Sequence, residues 1–219
     1  PKPFIDVRGE WIVEWALKGF DLSKFSKIIF LILREHADEF DAVKKLKKKY
    51  GKKCECILVN EVTAGPAATI LLAKKYINTS EDMIAKDSDG YLVSNIHDTI
   101  EKNRRGVHGI ISTIELPGDR WSFARTDAHG RVVEVAEKKR ISDNAITGLY
   151  YFRHGHDFVK YAEKIVREDK RVANGELYIS TMYQEMVNDG KKLIIDRARG
   201  LWDLGVPASL EYFLTNYRE

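Results

Sequence analysis

The stretch "SKIIFLILREHADEFDAVKKLKKKYGKKCECILVN", Ser26 to Asn60, reads as strand, helix, strand. Ser26 to Leu33 is a continuous apolar run of strand length. The segment "ADEFDAVKKLKKKY" then changes to helical spacing, and "CECILVN" returns to an apolar strand. Two strands joined through a helix of this length run parallel, because a tight hairpin cannot connect them. Outward from this unit the rhythm continues: "GPAATILLAKKYI" is helical, "DMIAKD" a short strand, "NIHDTIEKN" a helix and "GVHGIISTIEL" a strand. Alternation of this kind predicts an α/β fold, Rossmann-like, with a mostly parallel mixed sheet covered by helices on both faces.

Past Leu116 the pattern changes. "RWSFARTDAHGRVVEVAEK" reads as two strands joined at the turn Asp127 to Gly130, an antiparallel insertion, and "AITGLYYF" as a further strand. "HDFVKYAEKIVRED" and "ELYISTMYQEMVND" are helical, "KKLIIDRA" is a strand, and "PASLEYFLTNY" closes as a helix. No internal repeat or low-complexity linker divides the chain. One domain spanning 1–219 is expected, with residues 1–116 forming one part and 117–219 another.

Composition narrows the function. A net charge of +3 is too small to imply nucleic acid, and no apolar run approaches a membrane span, so neither partner is expected. The basic cluster Lys44 to Lys53 reads as a solvated helix face. Cys54 and Cys56, two apart on a strand, have no second pair with which to complete a zinc site, and suit a buried face in a reducing cytoplasm.

"MIAKDSDGYL", Met83 to Leu92, ends a strand on two acids. On one strand face Asp87 and Asp89 would stand roughly 7 Å apart and repel by about 2 kcal/mol at an effective dielectric of 20. Solvation, a basic neighbour or a metal ion must offset that. Ligands of open parallel sheets bind beyond the carboxyl ends of strands, where this segment lies.

Six segments in order resemble the sugar-phosphate nucleotidyltransferases: "PKPFIDVRGEWIVEWAL", "TAGPAATILLAKKYI", "AKDSDGYL", "VVEVAEKKRISDNAITGLYYF", "NGELYISTMYQEMV" and "LWDLGVPASLEYFL". The resemblance covers nearly the whole chain. It implies transfer of a nucleotide from a nucleoside triphosphate to a phosphorylated small-molecule acceptor, with Mg²⁺ as cofactor and pyrophosphate released. It places Asp89 and Asp203 as metal ligands, with Asp87 a weaker candidate. Lys2, held between prolines, would reach the nucleotide phosphates. Thr63, Ala64, Gly65 and Ser88 would line the nucleotide pocket. Lys138 would take the acceptor's phosphate and Glu137 a hydroxyl or amine, with Thr147, Gly148 and Glu176 beside them. The product's implied use is surface polysaccharide or glycoconjugate synthesis in the cytoplasm.

Each residue also has a structural reading. Lys2 would be a solvated terminal lysine, Glu137–Lys138 a strand-end pair, Glu176 a helix N-terminal carboxylate and Trp202 a core side chain. The chain departs from the family pattern at Glu10, Gly90 and Val206, where lysine, glutamine and threonine are usual. The family's glycine-rich phosphate loop is expected ahead of Pro1. Two other functions stay open: a nucleotide-sugar glycosyltransferase using "DSD" as its metal motif, and a nucleotide-binding domain without catalysis. The nucleobase, the acceptor and the oligomeric state are not legible.

Overall fold

The expected strands Ile28–Leu33 and Cys54–Val59 pair in parallel throughout their length, from Ile28 against Cys54 to Leu33 against Val59. The computed structural model describes residues 1–172 and 174–218. Ahead of this pair come a 3₁₀ turn, Lys2–Phe4, two short strands, β1 (Asp6–Val7) and β2 (Glu10–Trp11), and helix α1 (Ile12–Leu17). The parallel strands are β3 (Ile28–Leu33) and β4 (Cys54–Val59). Between them the single helix expected over 37–50 is broken into α2 (Arg34–Glu39) and α3 (Ala42–Tyr50). Asp41 sits at the break with φ +49°, a left-handed conformation that aspartate tolerates better than most side chains. The break leaves Ala37, Ala42 and Leu46 all buried with Phe30 and Ile32. Cys54 and Cys56 lie side by side as expected, their sulfurs 3.7 Å apart and unoxidised, and burial pushes both thiols up.

Next come α4 (Pro66–Leu71), α5 (Lys74–Ile77), β5 (Met83–Lys86), β6 (Gly90–Val93) and α6 (Ile96–Asn103). They are followed by β7 (Gly109–Glu115), β8 (Phe123–Thr126), β9 (Val132–Ala136) and β10 (Asn144–Phe152). The chain closes with α7 (Gly155–Arg167), α8 (Ile179–Asn188), β11 (Leu193–Arg197), β12 (Gly200–Asp203) and α9 (Pro207–Asn216). Strand β10 is the hub of a mixed sheet. It runs antiparallel to β5, β7 and β8, while β11 runs parallel to β7. The β8–β9 pair is the expected antiparallel insertion. Its turn is fixed by the Asp127 carboxylate, which accepts from the amides of His129 and Arg131, both at 2.9 Å.

Alternation along the strands covers both faces of this sheet with helices. Ile111, Tyr150 and Phe152 point toward Phe158, Ile165, Met182 and Met186 of α7 and α8. Ile110, Leu149 and Tyr151 point the other way, toward Ile96 and Ile100 of α6. This is the mixed α/β class expected from the sequence. The small ladder β6–β12, Gly90–Val93 against Gly200–Asp203, was not expected from the sequence. Behind it, Trp15 and Phe213 are fully buried against Val7, Ile12 and Leu204, so the first and last segments of the chain share one core. Arg8 ties them further, donating to the carbonyl of Leu214 at 2.8 Å.

Candidate active site

Strand β5 ends at Lys86, and the chain turns through Ser88 and Asp89 into β6. Asp87 and Asp89 therefore do not share one strand face, as their spacing had suggested; the turn sends them to different neighbours. A bulge in β10 between Ile146 and Tyr150 puts Gly148 at φ +72° opposite the strand end, where its carbonyl accepts from the Asp87 amide at 2.9 Å. The Asp87 carboxylate lies where a side chain on residue 148 would stand. Glycine is needed there to seat a carboxylate of this same chain, and Gly148 also lines the cavity described below.

Asp89 turns toward β12. In the β6–β12 ladder Asp203 is opposite Gly90, and the Asp89 carbonyl accepts from the Leu204 amide at 2.8 Å. Both carboxylates crowd Gly205. A Cβ there would lie 3.3 Å from Asp203 Oδ1, and the Asp89 carboxylate is closer still. Asp203 Oδ1 accepts from the Gly205 amide at 2.9 Å, and its other oxygen accepts from Arg120 at 3.1 Å. Two acids distant in sequence thus meet at one buried glycine.

Both line a cavity of about 250 Å³ with Asp87, Glu137, Lys138, Thr147 and Gly148. Glu137 Oε2 accepts from Ser122 and from Ser180, the latter at 2.6 Å. Lys138, with a strained φ of +50°, donates to the Tyr178 hydroxyl at 3.2 Å, which holds its ammonium pKa up. Tyr178 in turn donates to Glu176, which also accepts from Asn174 at 2.6 Å. Asp87 is open to solvent in the cavity but walled by protein elsewhere. That burial, with Asp89 and Glu137 nearby, pushes its carboxyl up to about 6 against the pull of Lys86. Lys86, half-buried beside it, is held below the usual ammonium range by the loss of solvent around it, and its ammonium donates to the Asp87 carbonyl at 3.0 Å.

Other expected residues lie around the cavity rather than in it. Thr63 and Thr69 both donate to the Gly65 carbonyl, at 3.1 and 3.0 Å, and cap this turn. The Ala64 carbonyl accepts from the Leu177 amide at 2.7 Å. At Gly65, φ +127°, a Cβ would meet the Leu177 backbone at 2.7 Å, so the glycine is required by the chain's own packing. Pro66, the next residue, does line the cavity. Ser88 is exposed on the turn. Lys2 is exposed and is not brought to the cavity, because its turn is anchored elsewhere by Phe4, stacked on Phe40 and edge-on to Trp11. Trp202 packs among Phe213, Tyr212 and Tyr217, which is its structural reading. Glu10, where the family pattern has lysine, pairs with Lys18 and Lys49.

Several lining residues had no sequence signal: Lys86, Arg120, Trp121, Tyr150 and Tyr178. Nearness to "DSD", "ITGL" and "NGEL" could have pointed to Lys86, Tyr150 and Tyr178, whereas no motif adjoins Arg120 or Trp121.

With this geometry known, comparison with solved structures is informative. The chain is 26% identical to a nucleoside-diphosphate-sugar pyrophosphorylase from Vibrio cholerae RC9, covering 98% of this chain and 91% of that one with a TM-score of 0.80. The fold is that of the nucleotidyltransferases. The inositol-1-phosphate CTP transferase from T. maritima shares it at 14% identity, with 98% and 85% covered and a TM-score of 0.76. HddC from Yersinia pseudotuberculosis, complexed with GMP-PN, shares it at 18% identity, with 100% and 90% covered and a TM-score of 0.72. No protein-family model matches the chain, and no curated protein matches it by sequence. The resemblance carried by the six motifs is borne out by these structures.

Proposed function

We propose that the chain is a pyrophosphate-releasing nucleotidyltransferase that joins the nucleotide of a nucleoside triphosphate to a phosphorylated small molecule. The observation that carries this reading is the meeting of Asp89 and Asp203 at Gly205, on the wall of a cavity in a nucleotidyltransferase fold. Four carboxylates line that cavity, Asp87, Asp89, Glu137 and Asp203, against three cations, Lys86, Arg120 and Lys138. A triphosphate entering alone would meet net repulsion, so a further cation is required.

Mg²⁺ fits the residues present. It takes hard oxygen ligands, usually one or two carboxylates, with waters and substrate phosphates completing the octahedron. Two carboxylates converge here, and among the described residues no larger group of acids, histidines and cysteines could form a closed cage. Asp89 and Asp203 would hold the ion. When bound, it supplies charge neutralisation on the phosphate oxygens.

The chain's own residues do the rest. An oxygen of the acceptor's phosphate bonds to the α-phosphorus as the bond from that phosphorus to the bridging β-oxygen breaks, and pyrophosphate leaves. The nucleophile is already an anion, so no general base is needed; the demands are alignment and charge stabilisation. Lys138 holds the acceptor's phosphate. Glu137, with one oxygen fixed by two serines, turns the other toward the acceptor. Thr147 and Gly148 shape the floor, Glu176 positions Lys138 through Tyr178, and the Thr63–Gly65 turn borders the nucleotide. The product would serve surface polysaccharide or glycoconjugate synthesis in the cytoplasm. Among the described residues no helix is long and apolar enough to cross a membrane.

The test is pyrophosphate release from each nucleoside triphosphate with Mg²⁺ and a panel of phosphorylated acceptors. Turnover of preformed nucleotide sugars alone, releasing nucleoside diphosphate, would replace this reading with glycosyl transfer. Nucleotide binding without turnover would replace it with a regulatory domain.

A further inference from the structure

One side chain of the protein already competes for the proposed ion site. Arg120 donates to Oδ2 of Asp203 at 3.1 Å, while Oδ1 accepts from the Gly205 amide at 2.9 Å, so both oxygens of this carboxylate are engaged. The pair is lopsided. The Asp203 side chain keeps only 24% of its surface in solvent, whereas that of Arg120 keeps 59%. The acid is fixed in the wall and the guanidinium can leave at little cost, because an ion pair with one exposed member adds little to stability.

The segment that carries Arg120 keeps it within reach after it leaves. It is the connection from β7 to β8, residues 116–122. Arg140 anchors its base, donating to the carbonyls of Leu116 and Gly118, both at 2.9 Å, with its own guanidinium over the buried Phe123 ring. The Arg120 guanidinium carbon lies 4.2 Å from the centre of the Trp121 ring, a contact that does not depend on Asp203. Arg120, Trp121 and Asp203 border both the active-site cavity and a neighbouring one of about 300 Å³ against Ala208, Ser209 and Tyr212 of α9. The side chain therefore has room on either side of the pair.

A carboxylate that is to hold a divalent ion needs its oxygen free, and a guanidinium on the same carboxylate repels that ion. A phosphate is the better partner for the guanidinium, since it carries more charge and spaces its oxygens to match the fork. We propose that Arg120 is an exchange residue, which pairs with Asp203 in the substrate-free protein and moves to the nucleotide's phosphates as Asp203 turns to the ion. The proposal rests on the nucleotidyltransferase reading above and adds a phosphate-positioning residue to it. The exchange also couples the two ligands: phosphate that takes Arg120 away raises the affinity for the ion, and the ion raises that for phosphate.

Arg120→Ala tests this through two binding measurements of opposite sign. Mn²⁺, followed by its paramagnetic resonance signal, stands in for Mg²⁺ on the protein alone. The variant should bind it about two- to fivefold more tightly than wild type, the gain from removing an exposed competitor. Pyrophosphate, which carries phosphates without a base, is titrated by calorimetry at saturating Mg²⁺. Here the variant should bind about threefold or more weakly, having lost hydrogen bonds between charged groups, and Arg120→Lys should fall between. A merely structural Arg120 would weaken both or neither. A gain in Mn²⁺ affinity below about twofold, no detectable Mn²⁺ binding by the variant, or a loss of pyrophosphate affinity below about threefold would each overturn the exchange. Asp203→Asn separates that failure from failure of the functional reading. If Asp203→Asn weakens Mn²⁺ binding while Arg120→Ala gains none, only the exchange is wrong. If Asp203→Asn binds Mn²⁺ as wild type does, the ion is not held at Asp203, and the proposed metal site falls together with the exchange.

Discussion

Replacing Gly205 with alanine probes the proposed metal site by one methyl group. The residue is buried, and its backbone is not in the left-handed region, so the substitution strains no dihedral. The added Cβ would stand 3.0 Å from the Asp89 carboxyl carbon, nearer still to one of its oxygens, and 3.3 Å from Asp203 Oδ1. Non-bonded heavy atoms settle near about 3.5–4.0 Å, so the Asp89 carboxylate must retreat by roughly 1 Å. Asp203, tied to Arg120 and to the Gly205 amide, has less freedom to follow. Reduced entropy of the unfolded chain favours alanine by about 0.4–1 kcal/mol, which offsets part of the local crowding. The melting temperature should therefore move by no more than about 4 °C. Catalysis is more sensitive, because a misplacement of about 1 Å can cost on the order of 10²-fold in rate. The assay is initial pyrophosphate release across a Mg²⁺ titration, with thermal unfolding in parallel. We expect kcat/KM to fall on the order of 10²-fold, and the Mg²⁺ requirement to shift upward, at nearly constant stability. A folded variant within twofold of wild type at every Mg²⁺ concentration would refute the claim that these two carboxylates act together.

Asp89→Asn keeps the side chain's shape but removes its charge; turnover should fall by on the order of 10²-fold or more with the fold intact, and wild-type rates would take Asp89 out of the mechanism. Phe213→Ala removes a fully buried ring packed on Trp15, Trp202 and Tyr217. It should cost about 3–5 kcal/mol, visible as a melting temperature lower by roughly 10 °C; a drop below about 3 °C would show that this cluster does not anchor the C-terminal helix. Burial raises the Glu185 carboxyl, but Lys164 and Lys170 outweigh it and hold the group below its usual value. Its folded pKa is depressed, so the stabilisation is present at neutral pH and is lost as pH falls through the folded value. Glu185→Gln should therefore be less stable than wild type by about 1–3 kcal/mol at pH 7. The gap should close in acid, and a pH-independent gap in chemical denaturation would contradict the ion-pair account.

How much of this could be read from residues alone differs by element. The β3–α–β4 unit was plain, because apolar runs of strand length flank a basic amphipathic segment. Its helix break was not: Asp41 adopts a left-handed conformation at little cost, and helical spacing continues on both sides of it. The motif acids were legible as chemistry, and Asp89, Asp203, Glu137, Lys138, Thr147 and Gly148 do share one cavity. The orientation of Asp87 was not, since it follows from a bulge in β10, far along the chain. Lys2 shows the limit in the other direction. Its flanking prolines suggested a fixed direction, but Phe4 decides where that turn docks. Arg120 and Trp121 sit in a loop whose residues have no periodicity, so only the folded chain shows that Arg120 pairs with Asp203.

Placing Asp203 beside Asp89 is work done by hydrophobic packing rather than by the acids. Adjacent carboxylates repel, by about 2 kcal/mol or more at short range and an effective dielectric of 20, so their own interaction would drive them apart. The β6–β12 ladder opposes this through its register, with Leu201 opposite Leu92 and Trp202 opposite Tyr91. The two leucines pack with Ile96, Ile110 and Tyr151, whereas Tyr91 and Trp202 pack with Trp15 and Phe213. A slip of one residue would turn the leucines toward the aromatic cluster and the aromatics toward the leucine side, exchanging every side chain between faces. Two separate cores thus exclude the one-residue slips on either side of the register that ends with Asp203 facing Gly90. Arg120 and the Gly205 amide then neutralise part of the charge that this register concentrates.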